Sequence, residues 1–127
     1  MNIGEASAAS GMSQRMIRYY EKIGLIPPVA RRRSYRIYAE HDVQRLRFVG
    51  NARNLGFPVE EIRALLGLWA DSRRSSAEVK ALATARAEEL GRRAMALQAM
   101  RQTLLDLARR CHGDDRPDCP ILRKLAG

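Results

Sequence analysis

The sequence predicts a mainly α-helical chain with one short β-hairpin, and three observations support this fold class. Apolar residues recur at helical spacing along most of the 127-residue chain. Only the stretch RRRSYRIY (31–38) alternates polar and apolar side chains as a strand does. Residues 75–109 contain neither proline nor a cluster of turn residues. One long helix is therefore expected over that stretch.

The first part of the chain is predicted to form two short helices joined by a tight turn. The first runs from Ile3 to Ala9, and Gly11 provides the conformational freedom that the turn needs. Ser13 is predicted to cap a second helix, which ends near Gly24 at a C′ position. The inner face of this second helix is predicted to hold Met16, Ile17 and Tyr20, and its outer face Gln14, Arg15, Arg18 and Tyr19.

The hairpin and two further helices follow. Pro27–Pro28 excludes a helix before the hairpin of residues 31–38. Helical periodicity resumes from about Glu40 to Leu55, and Gly56 ends it. A fourth helix is predicted from Val59 to Trp69 after Phe57–Pro58.

The long helix carries a heptad pattern. Ser75 and Glu78 predict a capping box at its start, and about 34 residues would make a rod of roughly 50 Å. Two series recur every seven residues, one of Leu90, Leu97, Leu104 and Cys111, the other of Ala87, Ala94, Arg101 and Ala108. This spacing is typical of a coiled coil with one charged interruption. We expect a second copy of the rod as partner; the alternative is a helix packed within one monomer.

Charge indicates the kind of partner. The net charge is +9 and the isoelectric point is about 10.5, which favours a polyanion. Residues 1–38 hold seven Lys or Arg and two Asp or Glu. No apolar run is long enough to span a bilayer, so no membrane is expected. The start MNIGEAS lacks a signal-peptide pattern, so a cytoplasmic location with reduced thiols is expected.

Cys111 and Cys119 are the only cysteines, and seven residues, HGDDRPD, separate them. In a reducing compartment such a pair is more often a metal or redox site than a disulfide. Two thiolates suit a monovalent soft ion such as Cu(I), whereas structural zinc normally has four ligands. The alternatives are a surface thiol pair or disulfide, and a site in which His112 is a third ligand. Acidic residues could also be ligands, but they more simply cap or solvate the loop: Asp114, Asp115 and Asp118.

The opening MNIGEASAASGMSQRMIRYYEKIGLIPP closely resembles the start of MerR-family transcription regulators. The hallmark IRYYE-x-x-GL-x-P is matched by Ile17 to Glu21, Gly24, Leu25 and Pro27, and YRIY (35–38) resembles the family's wing motif. The tail, C-x7-C with GDD inside and DCPI at its end, resembles the copper-responsive branch, the CueR/HmrR type. The resemblance covers essentially the whole chain.

The resemblance implies a winged helix-turn-helix DNA-binding domain, a long antiparallel coiled-coil dimerisation helix and a C-terminal metal-binding loop. The corresponding boundaries are 1–70, 71–110 and 111–127. The homodimer would bind a palindromic operator in a promoter whose spacer is too long for RNA polymerase. Metal binding would then distort the DNA and switch on metal efflux or detoxification genes, whereas the apo protein represses.

The DNA contacts are expected in two places. Gln14, Arg15 and Arg18 lie where a recognition helix reads bases, and the resemblance places Tyr19 near the phosphate backbone. Without the resemblance, Arg18 and Glu21 could simply pair on a solvated face. The resemblance places backbone contacts in the wing, at Arg31, Arg32, Arg33, Tyr35, Arg36 and Tyr38. Relatives usually have Gly before the wing's Tyr-Arg, but this chain has Ser34, which leaves the tip geometry open.

Ser76 bears on metal selectivity as a non-ligand. In relatives that sense divalent mercury, zinc or lead, the resemblance places a third Cys at the matching start of the dimerisation helix. Here that position is Ser76, which favours Cu(I), Ag(I) or Au(I). An enzyme is not expected, because no Ser/His/Asp set, carboxylate pair or phosphate loop is evident. A regulator that responds to zinc or oxidants through the same cysteines, and a metal-buffering protein, are the alternatives.

Overall fold

The computed structural model describes residues 1–127, which form six helices and one two-stranded sheet. In chain order the elements are α1 (Ile3–Ser10), α2 (Gln14–Lys22), β1 (Ala30–Arg32), β2 (Tyr35–Ile37), α3 (Glu40–Asn54), α4 (Val59–Ala70), α5 (Ser76–Arg110) and α6 (Pro120–Ala126). The mainly α-helical class and the order of the predicted elements are confirmed, and α6 is an addition to them. Residues 1–83 and 84–127 form two compact units. None of the helices is both long and apolar enough to cross a membrane.

The turn between α1 and α2 forms as the sequence predicts. The Asn2 side chain accepts a hydrogen bond from the Glu5 N–H, and the Glu5 carboxylate accepts one from the Asn2 N–H. Gly11 ends α1 with a φ of 78°, and the Ser13 hydroxyl accepts the Met16 N–H at 3.2 Å. Gly24, with a φ of 75°, follows the end of α2. These local contacts fix where α2 begins and ends.

The core of the first unit joins α1, α2, α3 and α4 with the loop and wing residues between them. Ile17 and Tyr20 of α2 are 0% and 3% exposed, and Met16 is half-buried beside them. The other buried apolar residues are Ala6, Met12, Leu25, Ile26, Val29, Tyr38, Val43, Leu46, Val49, Ala52 and Ile62. Burial of this apolar area is the main stabilisation of the unit.

Strands β1 and β2 form an antiparallel hairpin, in which Arg31 pairs with Arg36 and Arg32 with Tyr35. The two turn residues, Arg33 and Ser34, both have positive φ, 51° and 71°. Positive φ at both central residues is the requirement of a type I′ turn, whose twist matches that of the strands. The tip is therefore a tight two-residue turn despite the absence of glycine.

Two further contacts position the hairpin and the third helix. The backbones of Met1 and Tyr38 exchange two hydrogen bonds, of 2.8 and 2.7 Å, directly after β2. Asp42, the one buried charged residue, accepts the Ala39 N–H at 2.8 Å and so caps α3. The carboxylate also lies 3.8 Å from the Arg45 guanidinium.

The long helix α5 has 35 residues, which corresponds to roughly 50 Å. The Ser75 hydroxyl accepts the Ala77 N–H at 3.1 Å, but the Ser75 N–H does not donate the expected reciprocal bond to the Glu78 carboxylate. Ser75 therefore caps α5 alone. Helix α6 was not expected from the sequence, although Pro120 at its first position is a common start signal.

Ser34→Gly should stabilise the protein, because a non-glycine residue at positive φ carries a steric cost. We expect the free energy of unfolding to rise by about 0.5–1 kcal/mol, after the larger entropy of the unfolded glycine chain is subtracted. Urea denaturation at unchanged m-value measures the difference. The control is Ser72→Gly, the same change at an exposed residue without positive φ. A loss of stability at Ser34 would contradict the I′ turn.

Candidate DNA interface and metal centre

The outer face of α2 is exposed, as the sequence predicts. Gln14, Arg15 and Arg18 are exposed, whereas Ile17 on the opposite face is fully buried. Tyr19 is 43% exposed, and its ring meets the buried ring of Tyr20 edge-on at 5.5 Å. The face therefore presents two guanidinium groups, an amide and a phenol to a partner.

The β1–β2 hairpin with Tyr38 directly after it, here called the wing, adds a second basic surface. Arg31, Arg32 and Arg33 are exposed, and Tyr35 is 77% exposed. Arg36 is half-buried. Arg18 of α2 and Arg36 of β2 line one cleft of about 150 Å³, together with Asn2, Ile3, Ser34 and Tyr35. The helix and the wing therefore contribute an arginine each to the same concave surface.

Glu21 connects α2 to the wing. Its side chain is 9% exposed and accepts a hydrogen bond of 2.9 Å from Arg36 Nε. Arg31 Nη2 lies 4.0 Å from the other carboxylate oxygen. The alternative pair between Arg18 and Glu21 is not formed, so the Arg18 guanidinium is not held by this carboxylate. The sequence motif includes Glu21, but nothing in the sequence indicated this link.

Tyr38 differs from the expectation for a wing residue that contacts phosphate. Its side chain is 2% exposed, because the ring packs in the core of the first unit. Burial raises the pKa of the Tyr38 phenol, and the nearby negative charge of Glu21 raises it further. The positive charges of Arg36, Arg18 and Arg31 lower this pKa, but by less. The hydroxyl has no hydrogen-bond partner. In this conformation Tyr38 offers no side-chain surface to DNA.

The two cysteines flank the loop that joins α5 to α6. Cys111 directly follows the last residue of α5, and Cys119 is the N-cap residue of α6. Both are half-buried free thiols. The Leu122 N–H lowers the pKa of the Cys119 thiol, and the Ile121 N–H and the Cys111 thiol lower it further. Burial and the negative charge of Asp118 raise this pKa, but by less. The fold thus places the two thiols near each other, at the two ends of this loop.

Two of the three acidic residues of the loop, Asp114 and Asp118, are paired with arginines. Asp114 accepts hydrogen bonds from the Arg116 backbone at 3.0 Å and from Arg116 Nε at 2.8 Å, and these bonds lower the pKa of Asp114. Asp118 pairs with Arg123 at 3.2 Å. Asp115 and His112 are exposed. No group of three or more His, Cys, Asp or Glu side chains in the chain is arranged to hold a metal ion.

The residues present fit a two-thiolate site for a soft metal ion. The donor set is two half-buried free thiols, and backbone N–H groups lower the pKa of one of them, Cys119. Thiolate ligands favour soft ions such as Cu(I). Ser76, the first residue of α5, is exposed and contributes no sulfur.

Comparison with known proteins identifies the family. Residues 1–68 match the model of MerR HTH family regulatory proteins, and residues 43–107 match the MerR DNA-binding model. The chain belongs to the MerR family. The family resemblance expected from IRYYE and the wing motif is therefore confirmed.

Relatives within the MerR family match over nearly the full chain. Heavy metal-dependent transcription regulator 2 of Rhizobium meliloti is 58% identical, over 99% of this chain and 86% of its own length. The regulator CueR of Salmonella typhimurium is 40% identical, over 100% of this chain and 93% of its own length. The crystal structure of PbrR691 from Ralstonia metallidurans with lead(II) has a TM-score of 0.83 and 34% identity, over 98% of both chains.

Tyr38→Phe should leave the fold intact and stabilise it, because it removes a buried hydroxyl without a partner. We expect a gain of about 1 kcal/mol in the free energy of unfolding. Denaturant unfolding measures it, with Tyr35→Phe at the exposed wing position as the control with no change. A loss of stability at Tyr38 would show that the hydroxyl is hydrogen-bonded in the folded protein.

Proposed function

We propose that this protein is a dimeric, metal-responsive transcriptional activator that senses Cu(I), or Ag(I) or Au(I), through Cys111 and Cys119. The observation that carries the proposal is the pair of half-buried free thiols at the two ends of the α5–α6 loop, in a chain whose other end presents a helix-turn-helix and a basic wing. The functional division is 1–70 for DNA binding, 71–110 for dimerisation and 111–127 for metal binding.

In the proposed DNA complex the exposed face of α2 and the wing have different functions. The exposed side chains of α2, Gln14, Arg15 and Arg18, would enter the major groove and read base edges. Tyr19 and the wing residues Arg31, Arg33, Tyr35 and Arg36 would contact phosphates, which supply affinity without sequence information. Tyr38 would support the wing from the core and reach DNA only if the wing moves. The cleft between α2 and the wing supports this arrangement, because Arg18 and Arg36 both line it.

A second copy of the chain is the proposed partner of α5. Leu90, Leu97 and Leu104 are 41%, 63% and 58% exposed, and they recur every seven residues. Met95 and Met100 are exposed on the same helix. Water-exposed leucines at heptad spacing are stabilised by a partner helix, and the family arrangement is an antiparallel pair. Sedimentation equilibrium at twice the monomer mass of 14.3 kDa checks it.

The metal preference is argued from the ligands. Two sulfurs without a third thiolate suit a monovalent soft ion, and Ser76 stands where a third Cys would select divalent ions. When bound, the ion would be held by the Cys111 and Cys119 thiolates, and it would link the two ends of the loop. The name of a relative refers to heavy metals, and a neighbour binds lead(II). Zinc, lead(II) and oxidants are therefore the alternatives that an experiment must include.

The regulatory step follows the family pattern. The dimer would bind a palindromic operator between the two RNA polymerase recognition elements of a promoter, in the cytoplasm where thiols stay reduced. The metal-free protein would hold the promoter inactive. The metal-bound protein would distort the DNA so that polymerase engages both elements, and genes for metal efflux or detoxification would be transcribed.

Cys111→Ser and Cys119→Ser should each abolish metal-induced transcription while DNA binding survives. The expected reason is that a hydroxyl does not replace a thiolate as ligand for a soft ion, whereas neither residue belongs to α2 or the wing. In vitro transcription uses a promoter fragment that the wild-type protein selects from its source genome. Operator affinity should stay within about threefold, less than 1 kcal/mol.

The same assay distinguishes the effectors. Cu(I), Ag(I), Au(I), Zn(II), lead(II) and hydrogen peroxide are added in parallel, with His112→Ala as the matched loop control. Activation by the three monovalent ions, unchanged in His112→Ala, supports the proposal. Activation by Zn(II), lead(II) or peroxide alone would replace it with the corresponding alternative.

Arg18→Ala should weaken binding to the selected promoter fragment by about fivefold to 150-fold, because a base-edge contact is worth about 1–3 kcal/mol. Fluorescence anisotropy measures the dissociation constant. Arg73→Ala is the control, since it removes the same charge from an exposed residue outside α2 and the wing. Equal losses of affinity in the two variants would show that Arg18 acts only through the net charge of the protein.

A further inference from the structure

Glu21 is an acidic residue in an otherwise basic surface. Between residues 14 and 38 it is the only Asp or Glu, against seven Lys or Arg. An acidic group near the phosphates of a bound duplex would weaken binding by repulsion. A specific structural contribution is therefore needed to explain a carboxylate at this position.

The contacts of Glu21 indicate that contribution. Arg31 and Arg36 are directly opposite each other in the hairpin, and two like charges in a cross-strand pair destabilise it. The Glu21 carboxylate lies 2.9 Å from Arg36 and 4.0 Å from Arg31. One carboxylate on α2 thus compensates both members of the pair and links the helix to both strands.

The geometry of Arg36 leaves part of its guanidinium available. Nε donates to Glu21, and neither Nη group has a hydrogen-bond partner within the chain. The side chain is 29% exposed and lines the cleft that Arg18 also lines. A guanidinium binds two groups at once through its rigid fork, whereas a lysine has a single ammonium group. Arg36 can therefore hold Glu21 and a phosphate at the same time.

We propose that Glu21 is a positioning residue for DNA recognition, which fixes the wing against α2 and orients Arg36 toward the DNA backbone. The inference rests on the DNA-binding function proposed above. A fixed wing matters when α2 must occupy one register in the major groove while the wing grips the adjacent backbone. Loose electrostatic binding to unrelated DNA has no such requirement.

The experiment compares specific with non-specific binding. The probes are a duplex that the full-length wild-type protein selects from a randomised library, and a scrambled duplex of equal length. Glu21→Ala should lower the ratio of selected to scrambled affinity about tenfold. This change corresponds to a coupling free energy of about 1.4 kcal/mol between the two residues of the contact. Affinity for the scrambled duplex should be unchanged or higher, because a negative charge is removed.

Two further variants separate positioning from loss of folding. Glu21→Gln keeps a hydrogen-bond acceptor and should restore part of the ratio. Arg36→Lys should lower the ratio as Glu21→Ala does, and the double variant should lose little more, because the two residues act through one contact. Glu60→Ala on α4 is the control, an exposed glutamate paired with Arg63 at 3.6 Å. It should leave the ratio unchanged.

The outcomes separate the two proposals. If the wild-type protein selects no duplex, the DNA-binding function fails and the inference fails with it. If it selects one but Glu21→Ala leaves the ratio unchanged, only the positioning role is overturned. Equal losses on both duplexes, with a lower unfolding midpoint, would also overturn it, because a purely structural role reduces all binding alike. Where Glu21→Ala does not fold, the ratio of Arg36→Lys decides.

Discussion

The burial of one face of α2 is the constraint on which the DNA-binding surface depends. A helix of nine residues is not stable alone in water, so its stability must come from packing. Ile17 and Tyr20 supply that packing, since both are almost completely buried. Because residues three and four apart share a face, burying these two leaves Arg15, Arg18 and Tyr19 outside. The core of the first unit therefore determines which side chains are presented.

The sequence predicted most of the helices, because their signals are local. Caps at Ser13 and Ser75, the glycine turn at Gly11 and the heptads of α5 depend on residues within a few positions of each other. The DNA and metal candidates followed from a motif and from the two cysteines. What the sequence could not indicate depends on distant contacts. The burial of Tyr38 and the link between Glu21 and Arg36 arise only when the hairpin packs on α2.

Helix α6 was not predicted, although its start signal is present in the sequence. Pro120 follows Cys119, and proline is common at the first helical position, yet seven residues give little periodicity to recognise. Its presence changes the chemistry of the cysteine pair. Cys119 is a helix cap, and the Leu122 N–H lowers the pKa of its thiol. The loop thus combines a link rich in aspartate with one thiol whose pKa is lowered at the start of α6.

The contact between α3 and α4 includes a stacked aromatic pair. The rings of Phe48 and Trp69 are 4.5 Å apart and nearly parallel, with 9° between their planes. Trp69 is the only tryptophan in the chain, and it is 44% exposed near the end of α4. The tryptophan fluorescence of the protein therefore comes from one position, near the end of α4. The protein therefore contains its own optical probe of the α3–α4 contact, without any attached dye.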